Sequence, residues 1–221
     1  MPNEPETRAR PGMRLAGPLL FVLILVVASL YAFGGLGNLI GGKGGENTAQ
    51  CRAAQVKTAS LKPLAKGEIA ALQVTEKPAP ATPLSFQNAK GEPVTLASFK
   101  GKAILLNLWA TWCAPCRKEM PALDALQGEL GSKDFEVVAV NIDTRNFEKP
   151  KAFLDEIKVA RLGYYADPSA KIFQDLKAAG RAFGMPTTLL IDANGCELAY
   201  LAGPAEWASP EALAFVRAAL K

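Results

Sequence analysis

The sequence of 221 residues predicts an α/β fold, a mixed sheet flanked by helices and carrying an antiparallel edge pair. Three observations lead to it. Two strongly apolar runs, ILLNLW at 104–109 and FEVVAVNI at 135–142, read as buried strands. Each is followed by a stretch with helical spacing, so strands and helices alternate. Two turn signals, Asn88-Ala89-Lys90-Gly91 and Asn194-Gly195, lie between β-prone stretches and predict hairpins. The implied order is β-β-(β-α)-(β-α)-(β-α)-β-β-α, with no internal repeat.

Ahead of that domain the chain changes character. Residues 1–14 are polar and include Arg8, Arg10 and Arg14, and the next 19 residues, 15–33, hold no charge. A helix needs ~20 apolar residues to cross a bilayer, so one transmembrane signal-anchor is assigned to 15–36. Arginines in front of the span and none close behind it keep residues 1–14 in the cytoplasm and export everything beyond about Gly34. A cleaved signal peptide is the alternative. Its apolar core is usually ~7–15 residues, and Ala28-Ser29-Leu30-Tyr31-Ala32 fits its cleavage pattern poorly. Residues 34–45 contain seven glycines, so 37–47 reads as a flexible tether. Residues 48–80 form a helical extension. Thr48 caps a helix through Cys51, Ala54 and Val56, Lys62-Pro63 stops it, and a short second helix occupies 67–74. Pro78, Pro80 and Pro83 make 76–83 an extended surface linker into a domain at 81–221.

Within that domain, strands at 84–86 and 94–96 flank the first hairpin. The helix after 104–109 carries Pro121, which should kink it near 117–119, and Gly131 ends it. A helix at 146–157 tolerates Pro150 in its first turn. A short strand at 162–166 precedes a helix opened by Asp167-Pro168. Strands at 187–191 and 197–201 form the second hairpin, and Ser209-Pro210-Glu211 caps a terminal helix.

Composition narrows the chemistry. The net charge of +4 is mild and the basic residues are interspersed with acids, which reads as a solvated surface and not a nucleic-acid face. No histidine is present, which excludes His-ligated metal and both Ser-His and Cys-His catalysis. The four cysteines are Cys51, Cys113, Cys116 and Cys196. Cys113 and Cys116 form a C-x-x-C at a strand-to-helix junction, the pattern of a dithiol redox site. At a helix start, Cys113 faces free N–H groups that favour thiolate over thiol and raise its reactivity. Cys116, one turn on, is placed to resolve a mixed disulfide at Cys113, and Trp112 offers an apolar contact surface beside the sulfur. An even count in an oxidising compartment leaves Cys51 to pair with Cys196 as a structural disulfide. The rivals are two buried free thiols, or a four-thiolate zinc site, which usually needs two closely spaced pairs.

WCAPC after an apolar strand, with Gly184-Met185-Pro186-Thr187-Thr188 about seventy residues later, resembles the thioredoxin superfamily over about 81–221. The segments FQNAKGEPVTL, NLWATWCAPCRKEMP and GMPTTLLIDANG, with the anchor and the Cys51 segment, resemble its membrane-anchored TlpA/ResA branch. The resemblance implies a thioredoxin-like sheet and a cofactor-free thiol–disulfide oxidoreductase on the periplasmic side of the bacterial inner membrane, connected to cytochrome or cytochrome-oxidase maturation. Its clients would be disulfides of apocytochromes or of oxidase copper sites, and a membrane thiol carrier would supply electrons. It also implies that Pro186 is cis and faces the sulfurs, with the Met185 backbone and Trp112 contacting substrate. Asn107 stands where thioredoxins carry a buried aspartate, and an amide cannot accept the proton from Cys116. Some relatives place a glutamate three residues after the second cysteine. Glu119 matches, as a candidate proton acceptor; the alternative is a solvated helix glutamate beside Arg117 and Lys118. Ala114-Pro115 offers no side-chain donor to stabilise the thiolate strongly, so the expected direction is reduction, with a potential toward about −270 mV. A peroxiredoxin-like peroxidase and a copper-handling C-x-x-C module are the alternative functions.

Overall fold

The computed structural model describes residues 49–221. Its strands are β1 (Gln73–Val74), β2 (Ser85–Asn88), β3 (Pro93–Thr95), β4 (Ala103–Trp109), β5 (Phe135–Asn141), β6 (Tyr165–Ala166), β7 (Thr187–Ile191) and β8 (Glu197–Ala202). The helices are α1 (Arg52–Leu61), α2 (Ala114–Leu130), α3 (Lys149–Glu156), α4 (Lys171–Ala178) and α5 (Pro210–Ala219). The cytoplasmic segment, membrane span, tether and Thr48 cap expected from the sequence lie outside the described residues. Among the described residues no helix is long and apolar enough to cross a membrane.

One sheet holds all eight strands in the order β1-β8-β7-β4-β5-β6-β2-β3. The central strand β4 runs parallel to β5 and antiparallel to β7. All seven of its residues are buried, which a strand covered on both faces requires and which explains its continuous apolar run. Asn107 is its one polar residue. Helix α2 packs against β5 and α5, and α1 packs against α5 and β8. Phe86, Phe99 and Tyr165 form an aromatic cluster with centroids 5.5–6.2 Å apart, joining β2 and β6 to the turn before β4.

Both hairpins form at the expected turns, with Gly91 at φ +78° and Gly195 at φ +83°. Pro121 removes the helical bond to the Arg117 carbonyl, yet α2 runs as one helix of 17 residues. Ser209 caps α5 by accepting the Ala212 N–H at 3.2 Å.

The extension differs from expectation. Residues 67–74 are not a helix. A single 3-10 turn, Gly67–Ile69, leads into β1, which pairs Gln73 with Tyr200 on the otherwise open edge of β8. An unpaired edge exposes a row of N–H and C=O groups, and covering it outweighs weak local helix preference. The proline-rich stretch is likewise no free linker. The Ala81 N–H donates to the Gly195 carbonyl at 2.9 Å and the Glu197 N–H to the Ala79 carbonyl at 3.0 Å. Cys51, at the start of α1, has no side-chain cap role and is disulfide-bonded to Cys196, with a Cα–Cα distance of 5.7 Å.

That bond closes a loop spanning 145 positions. Loss of such a link gives the unfolded chain more freedom, so Cys51→Ser with Cys196→Ser should lower unfolding free energy by about 2–5 kcal/mol. Denaturant unfolding without reductant measures it. An unchanged midpoint would show that the backbone pairing alone holds the extension.

Candidate functional site: a dithiol at the carboxyl end of the central strand

β4 delivers the chain to a turn that is tied down before the cysteines begin. The Thr111 N–H and hydroxyl donate to the Asp143 carboxylate at 3.0 and 3.1 Å, and the Asn141 amide donates to the same carboxylate at 2.9 Å. Asp143 comes from the loop just beyond the parallel neighbour β5. The Cys113 N–H then donates to the Ala110 carbonyl at 3.1 Å.

Cys113 is the N-cap of α2, and its sulfur accepts the Cys116 N–H at 3.2 Å. The two cysteines are disulfide-bonded, with their Cα atoms 5.3 Å apart. Cys113 retains 5% exposure whereas Cys116 is sealed, so a partner thiol or disulfide can meet only Cys113. Once the bond is reduced, the cap N–H and the positive end of the helix favour a thiolate at Cys113. Trp112 stands beside it, 64% exposed.

The Met185–Pro186 bond is cis. Register places it: Thr187 opens β7 opposite Leu108, near the end of β4, so the cis bond reaches the sheet edge that carries the dithiol. The Thr187 hydroxyl fixes this loop by donating to the Gly184 carbonyl at 2.7 Å. Phe183, in the same loop, is 75% exposed. Ile191, at the far end of β7, pairs with Ile104, so Cys51–Cys196 lies at the opposite end of the sheet. The four cysteines therefore form two separate disulfides and not one thiolate cluster. Among the described residues no group of three or more metal-binding side chains is gathered.

Glu119 is not a solvated glutamate. It lies one turn after Cys116 and is 4% exposed, because the segment between β8 and α5 closes over it. Its Oε1 accepts the Ala205 N–H at 3.1 Å and the Trp207 indole N–H. Its Oε2 accepts the Asn107 amide at 3.2 Å, and the same amide nitrogen donates to the Thr188 hydroxyl at 2.9 Å. Asn107 thus does not stand in for a missing acid; it supports the one Glu119 provides. The Asn107 carbonyl oxygen is buried without a partner. Burial pushes the Glu119 carboxyl up to about 7, against the three donors that favour its charged form. One side of the carboxyl adjoins a cleft of about 480 Å³ lined by Glu68, Pro115, Lys118, Pro204 and Glu206.

The sequence singles out Cys113, Cys116, Trp112, Met185, Pro186 and Glu119, and all six come together around this edge. It does not single out Asp143, Ala205 or Trp207. Asp143 carries a usable signal, an acid just past the carboxyl end of a parallel strand next to the site. The other two carry none.

The Redoxin family model matches residues 74–214, and the chain belongs to that family, in the TlpA/ResA thioredoxin-like branch. It is 37% identical over 120 residues to the thioredoxin-like protein YneN of Bacillus subtilis, covering 52% of this chain and 65% of YneN. It is 32% identical over 111 residues to the thiol-disulfide oxidoreductase ResA of Bacillus thuringiensis subsp. konkukian, covering 48% of this chain and 58% of ResA. The chain thus spans less than two thirds of either relative. Among solved structures, a putative thiol:disulfide interchange protein DsbE from Chlorobium tepidum superposes with a TM-score of 0.55 at 30% identity, over 64% of this chain and 96% of that one.

The raised carboxyl gives a signed pH effect. Below about pH 4.5 Glu119 is protonated in both folded and unfolded chains. Between 4.5 and about 7 only the folded chain holds the proton, so its contribution to stability is lost as pH rises through that window. The loss is on the order of 3 kcal/mol. Urea unfolding of the oxidised protein from pH 4 to 8 should show this slope, and Glu119→Gln should remove it. Parallel wild-type and variant profiles would refute the burial effect.

Proposed function

We propose that the chain is a thiol–disulfide oxidoreductase that reduces disulfides of protein clients, anchored in the bacterial inner membrane with its catalytic domain in the periplasm. The observation that carries the reading is the asymmetry of the dithiol, with Cys113 reachable at a helix N-cap and Cys116 sealed behind it. The relatives named as thiol-disulfide oxidoreductases support it.

The steps follow from that asymmetry. Cys113, as thiolate, attacks one sulfur of the client disulfide. A Cys113–client bond forms, the client bond breaks, and one client thiolate leaves. Cys116 then gives up its proton and attacks the Cys113 sulfur. The second client thiolate leaves and the Cys113–Cys116 disulfide forms. Two electrons pass to the client, and its thiolates take up the protons that the dithiol released. Glu119 serves as acceptor for the Cys116 proton because its carboxyl, at about 7, can both take and return a proton near neutral pH.

A cis bond at Pro186 leaves the Met185 backbone free to pair with an extended client segment, and exposed Trp112 and Phe183 give that segment apolar contacts. Protein clients, not small molecules, fit such an open edge. Clients in cytochrome or oxidase copper-site maturation and a membrane thiol carrier as electron donor remain part of this reading through the branch resemblance. A peroxidase role fits less well, because the resolving sulfur lies one helical turn from the attacking one and favours exchange; a copper-handling role is the alternative that a copper-binding measurement separates.

Cys116→Ser should accumulate mixed disulfides at Cys113, and those clients can be identified by mass spectrometry. Cys113→Ser should abolish both trapping and insulin reduction. The reduction potential should lie nearer about −270 mV than about −120 mV. Peroxide turnover or tight copper binding by the reduced protein, without insulin reduction, would overturn the reading.

A further inference from the structure

We propose that Trp207 is a positioning residue for the Glu119 carboxyl: its indole N–H, together with the Ala205 N–H, pins Oε1 and leaves Oε2 as the atom that exchanges a proton. The inference rests on the proton-acceptor reading of Glu119 given above and adds the device that holds it.

The geometry is unequal at the two oxygens. Oε1 receives two N–H donors from the segment between β8 and α5, 86 and 88 positions away in sequence. Neither donor can become an acceptor, so a proton on Oε1 would have to displace one of them. Oε2 has a single partner, the Asn107 amide. That amide can serve both protonation states. Its nitrogen donates to ionised Oε2 and to the Thr188 hydroxyl. A half turn would bring round the carbonyl oxygen, now buried without a partner, to accept from protonated Oε2 and from the Thr188 hydroxyl. The proton thus has a place at Oε2 and none at Oε1.

Trp207 is fully buried, which fixes its ring and hence the direction of its N–H. The charged groups that face the carboxyl are few. Glu206, from the same segment, disfavours the ionised form. Glu68, from the turn at Gly67–Ile69, and Lys118, on α2, border the adjoining cleft. β4 and β7 contribute only neutral Asn107 and Thr188, and α2 brings the dithiol itself. The indole N–H is therefore a main counterweight to burial.

The test is Trp207→Phe in the full chain, alongside replacement of Trp207 by benzothienylalanine. The analogue keeps the bicyclic volume and loses only the N–H. Titration of the Glu119 side chain is followed by carbon-13 NMR of labelled glutamate, and the rate of client-disulfide reduction is followed against pH. Loss of one N–H donor to the charged form should raise the titration midpoint by about one pH unit and move the rate profile by the same amount. The analogue should reproduce the shift with folding unchanged. An unmoved midpoint in the analogue overturns the proposal, whatever Glu119 does in exchange. A moved midpoint with an unmoved rate profile supports the positioning by Trp207 and overturns the proton-acceptor role of Glu119.

Discussion

A carboxyl group taken out of water one helical turn below a dithiol is the constraint the rest of the site answers to. Burying it unaided would keep it neutral far above physiological pH, and exposing it would leave it ionised throughout. The structure sets three N–H donors against burial, and the balance falls near neutrality. The donors come from two distant parts of the chain: Asn107 from the central strand, Ala205 and Trp207 from the segment that closes over the carboxyl. The sheet, α2 and the terminal helix must all be in register for that balance to exist.

The same dependence decides what could be read from residues alone. β4 was legible because a strand buried on both faces is apolar throughout, and the hairpins because their turns need glycine at positive φ. The dithiol was legible because its chemistry lies within four consecutive residues. Glu119 was ambiguous for a local reason: Arg117 and Lys118 beside it read as a wet helix face, and nothing nearby announces that a segment more than eighty residues later covers it. Trp207 carries no local signal, because the carboxyl it donates to lies 88 positions away. β1 was missed because two residues carry no periodicity, and only the unpaired edge of β8 gives them a reason to extend.

The extension earns its place through that edge. Without residues 73–81, β8 and the turn at Asn194-Gly195 would present open backbone groups at the sheet edge. With them, the sheet is closed on that side by β1, by two backbone bonds around Cys196 and by a covalent link. The turn at Gly67–Ile69 that precedes β1 also brings Glu68 to the cleft beside Glu119, so an element added outside the sheet helps to shape the site.

Cys51–Cys196 has a mechanical consequence as well. It sits at the end of the sheet where β4 begins, while the dithiol sits where β4 ends, about 20 Å away for a strand of this length. A pull applied to the chain ahead of residue 51 passes through the sulfur–sulfur bond straight into the start of β8. It bypasses α1. The reactive edge lies at the other end of the sheet, away from the point where such a pull would enter.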